Sequence, residues 1–139
     1  PSAGHPDPRL AGWHEVLAQR HLRGGEPLAL GWSVETGLRA AAAVRDSGTT
    51  AVLCGNDDLA IGLVAGLAHE GIRVPQDISV VGVDDHPHAP GMIPALTTVR
   101  LDFASVGEAA ARLALGVEAG PVVEVPTQLV VRGSTAPPP

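Results

Sequence analysis

Polar side chains follow two apolar segments of the chain, and they are the residues best suited to binding a small ligand. Asn56 comes directly after the run TTAVLCG, and Asp84 comes directly after the run ISVVGV. An amide both donates and accepts hydrogen bonds, and a carboxylate accepts them from neighbouring hydroxyl groups. The pattern therefore favours recognition of a hydroxyl-rich ligand. The residues alone leave two other interpretations open, since Asn56 could cap a helix and Asp84 could be a solvated loop acid.

Trp32 and Arg9 could complete such a site. Trp32 lies between a short apolar run and a helical pattern, where an indole either packs in the core or offers its face to a sugar ring. Arg9 opens the first helical pattern and opposes the dipole of that helix, which a polar partner elsewhere or simple solvent exposure would explain. Trp13 lies inside the same helical pattern and is predicted to be a core residue.

Metal binding and catalysis both lack a supporting motif. Asp84, Asp85, His86 and His88 are of the types that bind zinc, but they crowd into five positions around Pro87, whereas structural zinc sites draw ligands from two separate segments. The sequence contains no G-x-S-x-G, Walker A, H-E-x-x-H or C-x-x-C motif. We therefore predict no metal, no cofactor and no enzymatic activity.

Composition excludes several classes of protein. The 139 residues carry a net charge of −6 and include no run of basic residues, so this chain is not expected to bind DNA itself. Its single cysteine, Cys54, cannot form an intrachain disulfide. No apolar stretch approaches the roughly 18 residues of a membrane span. A 45% share of apolar residues is enough for one packed domain.

Apolar periodicity predicts alternating helices and strands, which indicates an α/β fold with an open, mostly parallel sheet flanked by helices. In such sheets ligands bind beyond the carboxyl ends of the strands, which is where Asn56 and Asp84 fall. Asp7 and Asp102 are the expected N-caps of the first and last helices. The patterns predict helices at 8–22, 33–44, 59–69 and 103–115, strands at 27–31, 49–55, 78–83, 97–101, 122–125 and 128–131, and a frayed tail at 134–139.

Four segments resemble the effector-binding core of the lac repressor (LacI/GalR) family, in that family's order and spacing. They are RLAGWHEVL at 9–17, AVLCGNDDLAIG at 51–62, GIRVPQDISVVGVDD at 71–85 and PALTTVRLDF at 94–103. The resemblance implies a periplasmic-binding-protein-like C-terminal lobe, so residues 1–139 form a fragment of an effector-binding and dimerisation domain. It further implies that residues 102–124 cross to an N-terminal lobe and back, and that the DNA-binding helix-turn-helix is absent from this chain.

The resemblance also assigns five ligand-binding residues. Arg9 resembles the arginine that holds sugar hydroxyls, and Trp32 resembles the aromatic residue that stacks on the sugar ring. Asn56 resembles the amide that hydrogen-bonds the ligand, and Asp84 the carboxylate that accepts from its hydroxyls. Phe103 is expected to line the pocket near the crossing segment.

The function implied by the resemblance is that of a cytoplasmic, sugar-responsive transcription repressor, in which the effector changes lobe orientation and operator affinity. Homodimers are expected through the helix after Asn56 and the loop at 86–93, with no membrane contact. Each proposed interface residue could equally belong to the core; the four are Ala60, Leu63, Leu67 and Ile93. Two alternatives remain open from the residues alone: a solute-binding protein of a sugar transporter and an α/β enzyme acting on a sugar.

Overall fold

The computed structural model describes residues 7–28, 31–117 and 124–138. They form one four-stranded sheet with helices against it, in the strand order β1-β2-β3-β4. The first three strands are parallel and β4 is antiparallel to β3, which confirms the predicted mostly parallel α/β fold. The strands are β1 (Ala51–Leu53), β2 (Ser79–Val83), β3 (Thr97–Arg100) and β4 (Gln128–Val130).

Within the described residues, two helices precede β1, one joins β1 to β2 and one lies between β3 and β4, while a 3-10 turn (Ala89–Gly91) precedes β3. Each helix begins where a short polar side chain accepts a hydrogen bond from a backbone N–H of the first turn, as N-caps do. The expected caps Asp7 and Asp102 are confirmed. The helices are α1 (Pro8–Gln19), α2 (Val34–Asp46), α3 (Asp57–His69) and α4 (Phe103–Ala114).

The core lies where α3 is enclosed by α2 and the sheet. Two glycines allow these helices to approach closely: a Cβ atom at Gly62 would collide with the carbonyl oxygen of Val34, and one at Gly66 would lie 2.6 Å from that of Leu38. The residues packed there are small and aliphatic, which suits a chain with few aromatic side chains. The cluster comprises Ala40, Ala41, Val44, Cys54, Ala60, Leu63, Val64, Leu67, Ile78, Val80, Ala89 and Leu96.

This packing corrects three of the expected dimer contacts. Ala60, Leu63 and Leu67 are all buried within the domain, so they are core residues of α3 and cannot meet a second copy. Of the four, only Ile93 is exposed, at 96%. Sequence could not separate the two roles, because an apolar residue on a helix serves a core and an interface equally well.

Two further expectations are wrong. Trp13 is only half-buried, and α1 has no buried residues. Its indole packs over Gly24 beside Leu17. Residues 134–136, predicted to belong to a frayed tail, are instead hydrogen-bonded to the sheet. Ser134 is fully buried; its hydroxyl accepts from the Thr97 N–H at 2.8 Å and donates to the Val80 carbonyl at 2.6 Å, which joins this segment to β2 and β3.

Two of the predicted strands lie partly outside the described residues. In the segment 27–31, residues 27, 28 and 31 are not in a strand, and residues 29 and 30 lie outside the described part of the chain. In the segment 122–125, residues 124 and 125 are likewise not in a strand, and the first two residues are not described. Within the described ranges, no helix is both long and apolar enough to cross a membrane.

Candidate functional site

The register of the sheet brings Asn56 and Asp84 to one edge. Leu53 of β1 pairs with Val81 of β2 in parallel register, and each of the two polar residues stands three positions beyond its member of that pair. Parallel strands end at the same edge, so both residues follow the carboxyl ends of neighbouring strands. This edge is the candidate site.

Arg9 reaches this edge from the first turn of α1. Its Nη1 donates to the Gly55 carbonyl at 2.6 Å, directly before Asn56. Its Nε and Nη2 donate to the carboxylate of Asp7 at 3.0 and 2.6 Å, which raises the pKa of Arg9 and lowers that of Asp7. The guanidinium carbon lies 5.1 Å from the centroid of the Trp32 ring, within cation–π range.

Trp32 lies over the backbone of Gly55 with 47% of its surface exposed. A Cβ atom at Gly55 would lie 2.9 Å from the ring, so glycine leaves the space that the indole occupies. The Trp32 carbonyl accepts from Nδ2 of Asn56 at 3.0 Å. The indole is therefore fixed at the edge of the sheet and still offers half of its surface to a ligand.

Asn56 is a helix cap in this structure, since its Oδ1 accepts from the Leu59 N–H at 2.9 Å. With Nδ2 bonded to Trp32, both ends of the amide are engaged within the domain. The capping interpretation is thus confirmed, and α3 begins two residues earlier than predicted. A ligand contact by Asn56 would use the lone pair of Oδ1 that the cap leaves free, or the second N–H of Nδ2.

Asp84 is half-buried and has a positive φ of 113°, a conformation rare outside glycine. Its N–H donates to the Val99 carbonyl of β3 at 2.8 Å. Burial raises the pKa of its carboxyl group, the charge of Asp57 raises it further, and the charge of Arg9 opposes both. Asp84 and Arg9 are therefore close enough to influence each other across the candidate site.

Comparison with known proteins agrees with this geometry. Residues 1–135 match the family model described as a periplasmic binding protein-like domain. The chain is 34% identical to the lactose operon repressor of Escherichia coli K12 over 136 residues, which span 94% of this chain and 38% of that protein. The chain belongs to the lac repressor family.

Solved structures show the same fold. A LacI family transcriptional regulator from Enterococcus faecium with bound ribose superposes with a TM-score of 0.80 at 30% identity, over 93% of this chain and 51% of that one. A dimeric lac repressor with an 11-residue C-terminal deletion gives a TM-score of 0.81 at 34% identity, over 94% and 50%. This chain therefore spans about half of the matched structures, and less of the full-length repressor.

Two acidic residues outside the five predicted ligand-binding residues support this lac repressor family site from within the domain. Asp85 is largely buried and forms ion pairs with Arg132 at 2.6 Å and Arg100 at 2.7 Å, which lower the pKa of its carboxyl group. Asp57 is almost completely buried beneath the turn that follows β2. No local pattern reveals either role, because the partners are remote in sequence.

Phe103 follows the third parallel strand and so lies toward the same edge of the sheet as Asn56 and Asp84. It is the first residue of α4, beyond the carboxyl end of β3, and is 62% exposed. Among the described residues, no hydrogen bond, ion pair or ring contact joins it to Arg9, Trp32, Asn56 or Asp84. Its predicted position at the pocket remains a proposal that depends on the rest of the family's two-lobed core.

The histidines after Asp85 contact each other. The rings of His86 and His88 have centroids 4.8 Å apart, and the His88 N–H donates to Nδ1 of His86 at 3.2 Å. Over residues 7–28, 31–117 and 124–138, no three His, Cys, Asp or Glu side chains are grouped so that they could hold a metal ion.

Proposed function

We propose that this chain is the effector-sensing domain of a transcription repressor, and that its effector is a sugar. The observation that carries the proposal is the convergence of Arg9, Trp32, Asn56 and Asp84 at one sheet edge in a lac repressor family fold. The exposed indole suits the C–H face of a sugar ring, and the carboxylate of Asp84 suits its hydroxyls. A relative of this fold has been solved with bound ribose.

The proposed mechanism involves no catalysis. Residues 102–124 would cross to a second lobe and return, and the effector would bind between the lobes. An effector that binds one lobe arrangement more tightly than the other shifts the balance between them, and operator affinity changes by linkage. Phe103, at the start of the crossing segment, would then close over the effector from the second lobe's side.

The partners follow from the same proposal. Operator DNA would be bound by a helix-turn-helix outside this chain, because the chain is acidic and its charge disfavours phosphate. A dimer would form through this lobe around the exposed Ile93. A regulator that binds operator DNA in a bacterium acts in the cytoplasm, and we place the protein there.

The two tryptophans of the chain allow a direct test. In the full-length protein, with any tryptophan outside this chain replaced by phenylalanine, Trp13→Phe leaves Trp32 as the reporter at the site, and Trp32→Phe is the matched control that leaves only Trp13. A panel of pentoses, hexoses and glycosides, beginning with ribose, is titrated against both. We expect one sugar to give a saturable fluorescence change in Trp13→Phe and none in Trp32→Phe.

Two results would contradict the proposal. One is a panel in which no sugar changes the emission of Trp32. The other is a change seen in Trp32→Phe alone, which would place the ligand elsewhere. With the sugar identified, Asp84→Ala should abolish the binding signal of the Trp13→Phe protein while operator binding persists, because the carboxylate contacts the effector and lies apart from the DNA-binding part.

A further inference from the structure

Asp57 is a buried carboxylate whose role the ligand chemistry does not explain. It is 1% exposed, although it stands in the first turn of α3, where an acidic residue could favour the helix dipole from the surface. Burying a carboxylate is costly unless its oxygens are hydrogen-bonded. Its burial therefore points to partners inside the domain.

Both oxygens of Asp57 have such partners. Oδ2 accepts from the backbone N–H of His86 at 2.7 Å, and Oδ1 accepts from the hydroxyl of Thr98 at 2.6 Å. The same Thr98 hydroxyl accepts from the N–H of Asp85 at 3.3 Å. Asp57 thus holds the turn at 84–86 directly through His86 and indirectly through Thr98.

The turn needs to be held. Asp84 and Asp85 have φ values of 113° and 54°, and consecutive non-glycine residues in this region are strained. Such a turn persists only where its surroundings over-determine it. Gly82 of β2 leaves room for the bond to Thr98, because a Cβ atom there would collide with Oδ1 of Asp57.

We propose that Asp57 is a positioning residue for the effector site, which holds the turn at 84–86 from inside the domain so that Asp84 stays at the carboxyl edge of the sheet. The inference rests on the proposed function in taking Asp84 as an effector contact. Asp57 itself does not touch the effector.

Electrostatics also connects Asp57 with Asp84. The titratable groups that act on Asp84 are Arg9 from α1, Asp57 and Asp58 from α3, and His86 in the turn. After burial, the charge of Asp57 is the largest cause of the raised pKa of Asp84. Asp57 therefore influences both the place and the protonation of the effector-facing carboxyl group.

The first experiment measures the titration of the Asp84 carboxyl group, because a purely structural role of Asp57 would not change its midpoint. In the full-length protein, the carboxyl carbon of Asp84 is followed by NMR against pH in Asp57→Asn, which keeps the shape and an oxygen acceptor but removes the charge. The matched control is Asp58→Asn, one residue along. We expect the midpoint of Asp84 to move to lower pH, and further in Asp57→Asn than in the control.

The second experiment measures how strongly Asp57 holds the turn at 84–86. Hydrogen exchange of the full-length protein compares the peptide 84–88 with the reference peptide 59–67 of α3. In Asp57→Ala we expect exchange at 84–88 to accelerate about tenfold more than at 59–67, because the N–H of His86 loses its charged acceptor. If that variant does not fold, Thr98→Val removes the hydroxyl at nearly constant volume, and the same local acceleration is expected.

Either of two results would overturn the inference: an Asp84 titration in Asp57→Asn that matches the wild type, or exchange that accelerates equally in both peptides. Neither readout uses an effector. A failure of the sugar titration therefore leaves this result standing, and a failure here leaves the sugar proposal standing.

Discussion

At the scale of single residues, Asp85 shows how the site is tied to the end of the chain. Arg100 belongs to β3, and Arg132 follows β4 and also donates to the Leu96 carbonyl at 2.7 Å. Both arginines bind the carboxylate next to Asp84. A largely buried carboxylate shared by two arginines stabilises the fold more than an exposed pair does, because water screens it less.

This pairing predicts a pH-dependent contribution to stability. The pKa of Asp85 is below its usual value of 3.8 in the folded protein, so its contribution is fully present above that value and is lost as the pH falls below it. Asp85→Asn should lower the free energy of unfolding by about 2 kcal/mol at pH 7, and by less near pH 3. Urea denaturation of the full-length protein at both pH values measures this difference.

The control for that prediction is Asp46→Asn, which breaks an exposed pair with Arg45 on α2. Its effect on stability should be much smaller at pH 7. Asparagine tolerates positive φ well, so the Asp85 variant loses the charge without straining the backbone. An Asp85→Asn effect that stays the same at low pH would show that the ion pairs are not its source.

At the scale of elements, the contact of α2 with α3 depends on glycines inside the helices, although glycine has a low helix propensity. Glycine within a helix is unfavourable by roughly 0.5–1 kcal/mol relative to alanine. Gly37, Gly62 and Gly66 are nonetheless placed where a side chain would meet the backbone of the neighbouring helix. Close packing of the two helices therefore outweighs the local cost.

Two helical glycines separate these effects. Gly62→Ala should destabilise the protein by about 1–3 kcal/mol, because a backbone carbonyl cannot move aside as a side chain can. Gly12→Ala on α1 meets nothing within 4 Å and should stabilise by up to about 1 kcal/mol. Thermal and urea unfolding of both variants test the contrast, and equal effects would argue against the close helix contact.

At the scale of the whole molecule, the sequence predicts what is local. Local features depend on neighbouring residues and can be predicted from them. They include the caps Asp7 and Asp102, the four helices, and the strand ends that carry Asn56 and Asp84. Ser134 could not be predicted, since its partner Thr97 is remote and a serine near prolines has the composition of a loop. Sequence could not predict that α3 is buried for the same reason, because its burial depends on which remote elements cover it.

The last prediction concerns assembly, where the corrected core leaves one candidate among the four expected contacts. Ile93 is 96% exposed in a loop before β3, and a large aliphatic side chain so exposed gains from burial against a second copy. Ile93→Glu in the full-length protein should weaken dimerisation roughly tenfold or more, which corresponds to about 1.4 kcal/mol, while the melting temperature of the domain stays nearly unchanged. Sedimentation equilibrium measures the dimer constant, with Val131→Glu as a matched control at another exposed aliphatic position. Equal dimer constants in wild type and Ile93→Glu would move the interface away from this loop, and equal weakening in both variants would trace the effect to added charge.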